Sequence, residues 1–279
     1  MIIKKLLKKT YLLYISRKRY RKWIADCNKL RSVQNVIPIY SLPTKEKSII
    51  LIPHADDEWV GCSSVLRDSS EVLLVNMDMQ GGDNPTLHQN RKAELSAMAS
   101  RHKKKLKTII GDKVKSLSSI IKEYKPEIIY VPFYFDWHEE HILTMKILRD
   151  SLIETGEKLK VAMYQVSLPI ISDRVTHCVT HDESKWTEKW EIFEKVYTSQ
   201  LNIPYKRFAI SERIQGSLCS SYAAEVFSIC RSEEWLTNFD EWLLTPNEIE
   251  LVKSNLQDFI RTNELTKKFS RKRVWKTLK

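Results

Sequence analysis

Two short stretches of this chain concentrate residues that can do chemistry. In SIILIPHADDEWVGC (48–62) an apolar run stops at Pro53 and delivers His54, Asp56, Asp57 and Glu58 within five residues. Carboxylates crowded in this way repel one another, and their burial is costly unless something compensates. Such a cluster calls for a positive centre. In DWHEEH (136–141), Asp136 with Glu139 three residues later reads as a helix start with Asp136 as its cap. His138 and His141 then stand at i and i+3, about 5–6 Å apart on one helical face. Together with His54 and Asp57 they offer nitrogen and oxygen donors for a divalent metal with an open position. Imidazoles with one carboxylate make a catalytic zinc pattern, whereas structural zinc is usually saturated by thiolates. The expected centre is Zn²⁺.

Elements of the right kind flank both stretches. Strand-like apolar runs are SIILIP (48–53), EVLLVNMD (71–78), KTII (107–110), EIIYVPF (127–133) and KVAMYQV (160–166). Helix-like stretches lie between them at 90–104, 112–124 and 137–155. Near-continuous apolar strands alternating with amphipathic helices imply a mostly parallel sheet covered on both faces, a Rossmann-like three-layer α/β/α fold. Functional residues gather beyond the carboxyl ends of such strands. HADDE follows the first run, MQGGD the second and DWHEEH the fourth, so three polar clusters can meet in one crevice. Further on, 185–200 and 248–263 read as helices, the second opened by a capping box with Thr245 as cap and Glu248 closing it.

The formal net charge is +11, unevenly spread: residues 1–32 carry +10, residues 261–279 carry +7, and the body between them carries −6. An acidic body is not a nucleic-acid groove, and no RNA- or DNA-binding motif is present. No apolar run reaches the ~18 residues of a membrane span, and lysines interrupt any signal-peptide core. Five scattered cysteines without CxxC spacing suit a reduced, cytoplasmic setting. The N-terminal arm, read as a helix, sets Ile2, Ile3, Leu6, Leu7, Leu13 and Tyr14 opposite Lys4, Lys5, Lys8 and Lys9. With Trp23 at its end it reads either as a helix packing on the catalytic body with its lysines solvated or, the favoured reading, as an interfacial helix for an anionic membrane, with KKFSRKRVWK (267–276) as a second attachment point. Three divisions follow: a basic arm (1–45), a catalytic domain (46–235) and a basic helical extension (236–279).

Other candidates carry less. His177 and His181 lie in a β-like run, where i and i+4 are about 13 Å apart and cannot share a metal. QGGD (80–83) lacks the Lys-Ser/Thr of a phosphate loop and reads as a wall of the crevice. Trp137 can stack on a sugar face or pack beneath its helix.

PHADDEWVGC resembles the PHPDDE…GC signature of the LmbE-like/PIG-L family of zinc-dependent N-deacetylases, and DWHEEH resembles that family's HxDH motif. Arg91 with Glu94-Leu95, and Ser199-Gln200, resemble two weaker family motifs; the resemblance spans 48–200 and reaches AAEVF (223–227). It implies that His54, Asp57 and His141 ligate zinc or ferrous iron. It also implies that Asp56 is the general base, that His138, as a cation or a hydrogen-bond donor, stabilises the oxyanion and can protonate the leaving amine, and that Arg91 contacts substrate. The implied reaction removes an N-acetyl group from an N-acetylglucosamine-type sugar of a glycoconjugate, lipid-linked or a surface-glycan precursor. The competing reading is a membrane-associated carbohydrate-binding scaffold with a relic metal site. Departures from the family pattern are Ala55 for Pro, Trp59 for an aliphatic residue, Ser63 and Ser64 for glycines, and Glu140 for Asp.

Overall fold

A computed structural model describes residues 2–33, 36–37, 40–79, 84–201 and 205–277, and only the helical backbone for 2–16. The QGGD loop and the apolar face of the arm therefore lie outside the described residues and side chains. The chain runs through α1 (Ile2–Ser32), β1 (Ser48–Ile52), α2 (Asp57–Asp68), β2 (Val72–Asn76), α3 (Pro85–Arg101) and β3 (Lys105–Thr108). It continues through α4 (Lys113–Tyr124), β4 (Ile128–Pro132), α5 (Glu139–Thr155), β5 (Lys160–Tyr164), β6 (His177–His181) and α6 (Glu183–Val196). The last elements are α7 (Lys206–Gly216), β7 (Ala223–Arg231), α8 (Ser232–Trp242), α9 (Pro246–Lys253) and α10 (Phe259–Arg271).

The seven strands form one sheet in the order β3-β2-β1-β4-β5-β7-β6. Strands β1 to β5 are parallel; β7 runs antiparallel to β5 and to β6. Along β1, Ile49 and Leu51 join one core while Ile50 and Ile52 join the other, as alternation on a doubly covered strand requires. The first core is closed by α4, α5, α8 and α10 through residues such as Leu117, Met145, Trp235 and Phe269. The second is closed by α2, α3 and α6 through Trp59, Met98 and Phe193. The fold is the expected mostly parallel α/β/α sandwich. Beyond the five foreseen runs, β6 and β7 extend it with an antiparallel edge.

Boundaries differ from expectation where local chemistry decides them. Helix α3 begins before residue 90 because the Asn84 side chain caps Thr86 and Leu87, with Pro85 in the first turn. The stretch 248–263 is two helices, not one: Asp258 accepts the Arg261 N–H and starts α10 afresh. The Thr245–Glu248 capping box stands as expected.

The two basic ends are anchored to the body by their aromatic residues. Trp23, Cys27 and Leu30 of α1 pack on Ile210, Ile214 and Phe259, and the Trp23 indole donates to Gln257 O at 3.0 Å. Trp275 lies edge-on to Trp242, and Phe269 is buried. These side chains, expected at a membrane surface, are packed into the protein instead. No described helix is long and apolar enough to cross a membrane.

Candidate metal centre

The strand order reverses between β1 and β4, where parallel α/β sheets open a crevice beyond their carboxyl ends. The two chemical stretches leave the sheet at that point. After β1 the chain turns at Asp56, whose φ of 134° is a backbone conformation that side-chain-bearing residues rarely adopt. This strained residue opens α2, its carbonyl accepting from Trp59 and Val60. Asp57 turns back to accept the His54 N–H through Oδ2 at 2.9 Å. Gly61 lets the helix press onto β5: a Cβ there would meet the Tyr164 ring at 2.3 Å.

The second stretch differs from expectation in one respect. Helix α5 begins at Glu139, and His138, with extended backbone, occupies the capping position. Asp136 is no helix cap. Its Oδ1 accepts the His138 N–H and its Oδ2 the His141 Nδ1–H, each at 2.8 Å. The two histidines are thus not neighbours on one helical face, yet their rings still stack with centroids 4.9 Å apart.

Three donor atoms converge. His54 Nδ1 lies 3.1 Å from His141 Nε2 and 3.4 Å from Asp57 Oδ2, and His141 Nε2 lies 3.3 Å from Asp57 Oδ2. Ligands about 2.0–2.2 Å from a tetrahedral ion are themselves about 3.3–3.6 Å apart, so this triangle fits zinc-like coordination. The nitrogen atoms of His54, His138 and His141 lie within 4.8 Å of one another and can also hold a metal ion. His138 Nδ1 is buried with no hydrogen-bond partner among the described residues. Glu140 grips His54 Nε2 and Asp136 grips His141 Nδ1, so each ring presents its other nitrogen to the triangle.

Charges are strongly coupled here. Burial disfavours charging of His54 and His141, but their carboxylate partners outweigh it and raise both pKa values. Burial likewise works against ionised Asp57, yet His141 and His54 hold its carboxyl far below the usual range. Asp56 is pushed well above it by burial and by the charges of Asp57 and Glu58. Burial pushes Glu58 up to about 7 despite a hydrogen bond from the Tyr197 hydroxyl. His138 is lowered to about 4 by burial and by the two neighbouring histidines, which leaves it neutral near pH 7.

A cavity of about 420 Å³ opens over the triangle, and Asp56, Arg91, Trp137, His138 and Gln200 line it. Here the weaker motifs meet. Glu94 accepts from Ser199 N and Oγ at 2.7 and 2.6 Å, and Arg91 donates to Gln200 Oε1 at 3.2 Å. All six site residues singled out in the sequence therefore border one cavity. Sequence reasoning missed Asp136 as the ring support, and missed Arg207, Leu256 and Gln257, which close the far wall from distant parts of the chain. His177 and His181 sit apart on β6. His181 is buried without a partner among the described residues, and burial lowers its pKa to about 4.

No family model matches the chain, and no curated protein matches it. Among solved structures, the conserved protein TT1542 from Thermus thermophilus superposes with a TM-score of 0.52 at 15% identity, over 65% of this chain and 93% of that one. The chain shares its fold. The zinc inhibited form of teicoplanin deacetylase Orf2 aligns at TM-score 0.48 and 14% identity, over 66% of this chain and 98% of that one. The A40926 pseudoaglycone deacetylase Dbv21 aligns at 0.49 and 16%, over 67% and 98%. These two likenesses are too distant to carry an argument about chemistry.

Proposed function

We propose that the chain is a metal-dependent hydrolase that removes an N-acetyl group from an N-acetylglucosamine-type sugar of a glycoconjugate. The observation that carries this reading is the His54–Asp57–His141 triangle, with donor atoms 3.1–3.4 Å apart and Asp56 beside it in the cavity wall. On this reading those three residues hold Zn²⁺, or Fe²⁺, whose donor preferences overlap. A bound divalent ion supplies Lewis acidity that polarises the amide carbonyl and acidifies a water molecule.

The chain's own groups do the rest. Asp56, its basicity raised by burial and like charges, takes the proton of the attacking water and returns it to the leaving nitrogen as the C–N bond breaks. His138 is neutral and half-buried, so it acts as an N–H donor toward the oxyanion rather than as a cation. Arg91, steadied by Gln200, contacts the sugar. Residues 46–235 form the catalytic unit; the extension 236–279 closes one side of its cavity through Leu256 and Gln257, and the arm 1–45 packs behind it through Trp23. The exposed basic run at 17–22 together with 2–16 would bring the protein to an anionic membrane bearing a lipid-linked substrate.

The test incubates the zinc-loaded protein with N-acetylglucosamine-bearing lipids and soluble glycosides and reads out free amine. Asp56→Asn should keep its metal and lose at least ~10²-fold in turnover. No amine from any substrate, or near-normal turnover in Asp56→Asn, would sink the assignment.

A further inference from the structure

The cavity wall contains a buried cation that the proposed chemistry does not use. Arg207, in the first turn of α7, is 6% exposed and lines the same cavity as His54 and Asp56. Its Nε donates to Leu256 O at 2.8 Å and its Nη1 to Ser167 O at 2.9 Å, with the guanidinium 5.4 Å from the Phe259 ring centroid. No carboxylate of a described residue lies within ion-pair distance of it, and its Nη2 makes no hydrogen bond to one. The contrast with the other deeply buried cation is direct: Lys189, with no exposure, contacts both Glu212 and Glu225. A buried cation without a counter-ion is costly, and an oxyanion of a ligand would offset that cost. Burial lowers the Arg207 pKa to about 10, opposed only in part by the field of Asp136. Asp136 is already engaged by His138 and His141.

Arg207 also stands at a useful distance from the reacting centre. Ser167, whose carbonyl holds Nη1, has its hydroxyl 3.4 Å from His141 Nδ1. The guanidinium is thus one residue removed from the donor triangle, on a wall shared with Gln257 and Phe208. A guanidinium with two nitrogens fixed on backbone carbonyls and a third open is preset for an oxyanion.

We propose that Arg207 is a specificity residue that takes an anionic group, a carboxylate or phosphate, carried by the aglycone of the sugar substrate. The substrate class is then an N-acetylated amino sugar bearing an oxyanion beyond the ring; this deepens the deacetylase reading and rests on it.

The experiment separates binding from turnover. Calorimetry on metal-free full-length protein compares N-acetylglucosamine 1-phosphate and a carboxymethyl N-acetylglucosaminide with the neutral methyl glycoside and with inorganic phosphate. Amine release is measured separately with zinc. The wild type should bind one of the charged sugars about tenfold or more tighter than the neutral one, the range of a charge-assisted hydrogen bond. In Arg207→Gln that ratio should fall to about one, and in Arg207→Lys it should be intermediate, because charge remains while the fork is lost. A ratio, unlike an absolute affinity, is insensitive to partial unfolding of a variant. If the preference holds but no amine appears, the deacetylase reading fails and the anion subsite stands. Equal affinity for charged and neutral sugars, a preference that survives Arg207→Gln, or inorganic phosphate bound as tightly as the sugar phosphate, each overturns the proposal.

Discussion

Asp136→Asn is the most informative single change, because Asp136 acts through His138 and His141. One carboxylate accepts both the His141 ring N–H and the His138 backbone N–H, each at 2.8 Å. An asparagine of the same shape has one acceptor oxygen. If that oxygen stays on the His138 amide, the side-chain NH₂ opposes the His141 Nδ1–H, and the ring must turn or change tautomer. Either response withdraws Nε2 from its position 3.1 Å from His54 Nδ1 and 3.3 Å from Asp57 Oδ2. Losing a charge-assisted hydrogen bond of this kind costs about 1.5–3 kcal/mol. Removing the partner of a metal-bound histidine weakens metal affinity by about 10- to 100-fold, or about 1.4–2.7 kcal/mol. The two routes agree. Zinc affinity is to be measured by competition with a chromophoric chelator, with circular dichroism checking that the variant is folded. A folded Asp136→Asn protein that binds zinc within about twofold of wild type, against that expected loss, would show that His141 Nε2 is not a ligand, and the triangle would lose its meaning.

Two further outcomes are expected. Glu212 shares Lys189 with Glu225, and burial first, then the Glu225 charge, push it from an ordinary 4.5 up to about 7. Its protonated form favours the fold, so the stability it confers is present below about pH 4.5 and lost as pH rises through about 7, a change of about 3 kcal/mol. Urea unfolding of Glu212→Gln from about pH 5 to 8, the window of that titration, should show a shallower decline than wild type, with the part due to Glu58 retained; profiles parallel to wild type would refute the linkage. Full-length protein should sediment with anionic but not neutral vesicles and be released by high salt. Removing residues 1–16, which leaves the Trp23 contact intact, should weaken that binding; unchanged sedimentation would mean that the arm is no anchor.

Strands β1, β2, β4 and β5 are legible because they are short, apolar runs in which almost every residue has a buried side to face. The polar residues at their ends stand out against that background. Strand β3 (KLKT), largely exposed at the sheet edge, lacks that pattern and lies at Lys105–Thr108, two residues before the expected run at 107–110. What stays hidden depends on pairings between distant residues. The sequence of β7 (AAEVFSICR) mixes a buried glutamate and serine into its strand, and Lys189, far away in α6, together with Ser63 and Ser64 of α2, makes the glutamate tolerable. Asp136 reads as a cap because capping is the commonest use of an aspartate before a helix; its tie to His141 is a tertiary fact. Arg207 carries no signal in the sequence, since an isolated arginine at a helix start is ordinary until the cavity around it is seen.

Three departures of this chain from the motif it resembles, Trp59, Ser63 and Ser64, form one physical system. Ser63 and Ser64, where glycines are usual, both donate their hydroxyls to Glu225, and the Ser64 N–H adds a bond of 3.0 Å. Glu225 in turn accepts from Lys189 Nζ at 2.6 Å, and the same ammonium reaches Val60 O at 2.9 Å. Trp59, bulkier than the usual aliphatic residue, donates its indole N–H to Lys189 O at 2.9 Å. Helix α2 is thereby tied through Trp59, Val60, Ser63 and Ser64 to α6 and β7. Its first residue is Asp57, a corner of the donor triangle. A buried charge network of this kind adds little net stability, because desolvation offsets most of its attraction, but it fixes geometry. Ala55 does not fix φ as a proline ring would, and the network beneath the helix holds α2 from the other side.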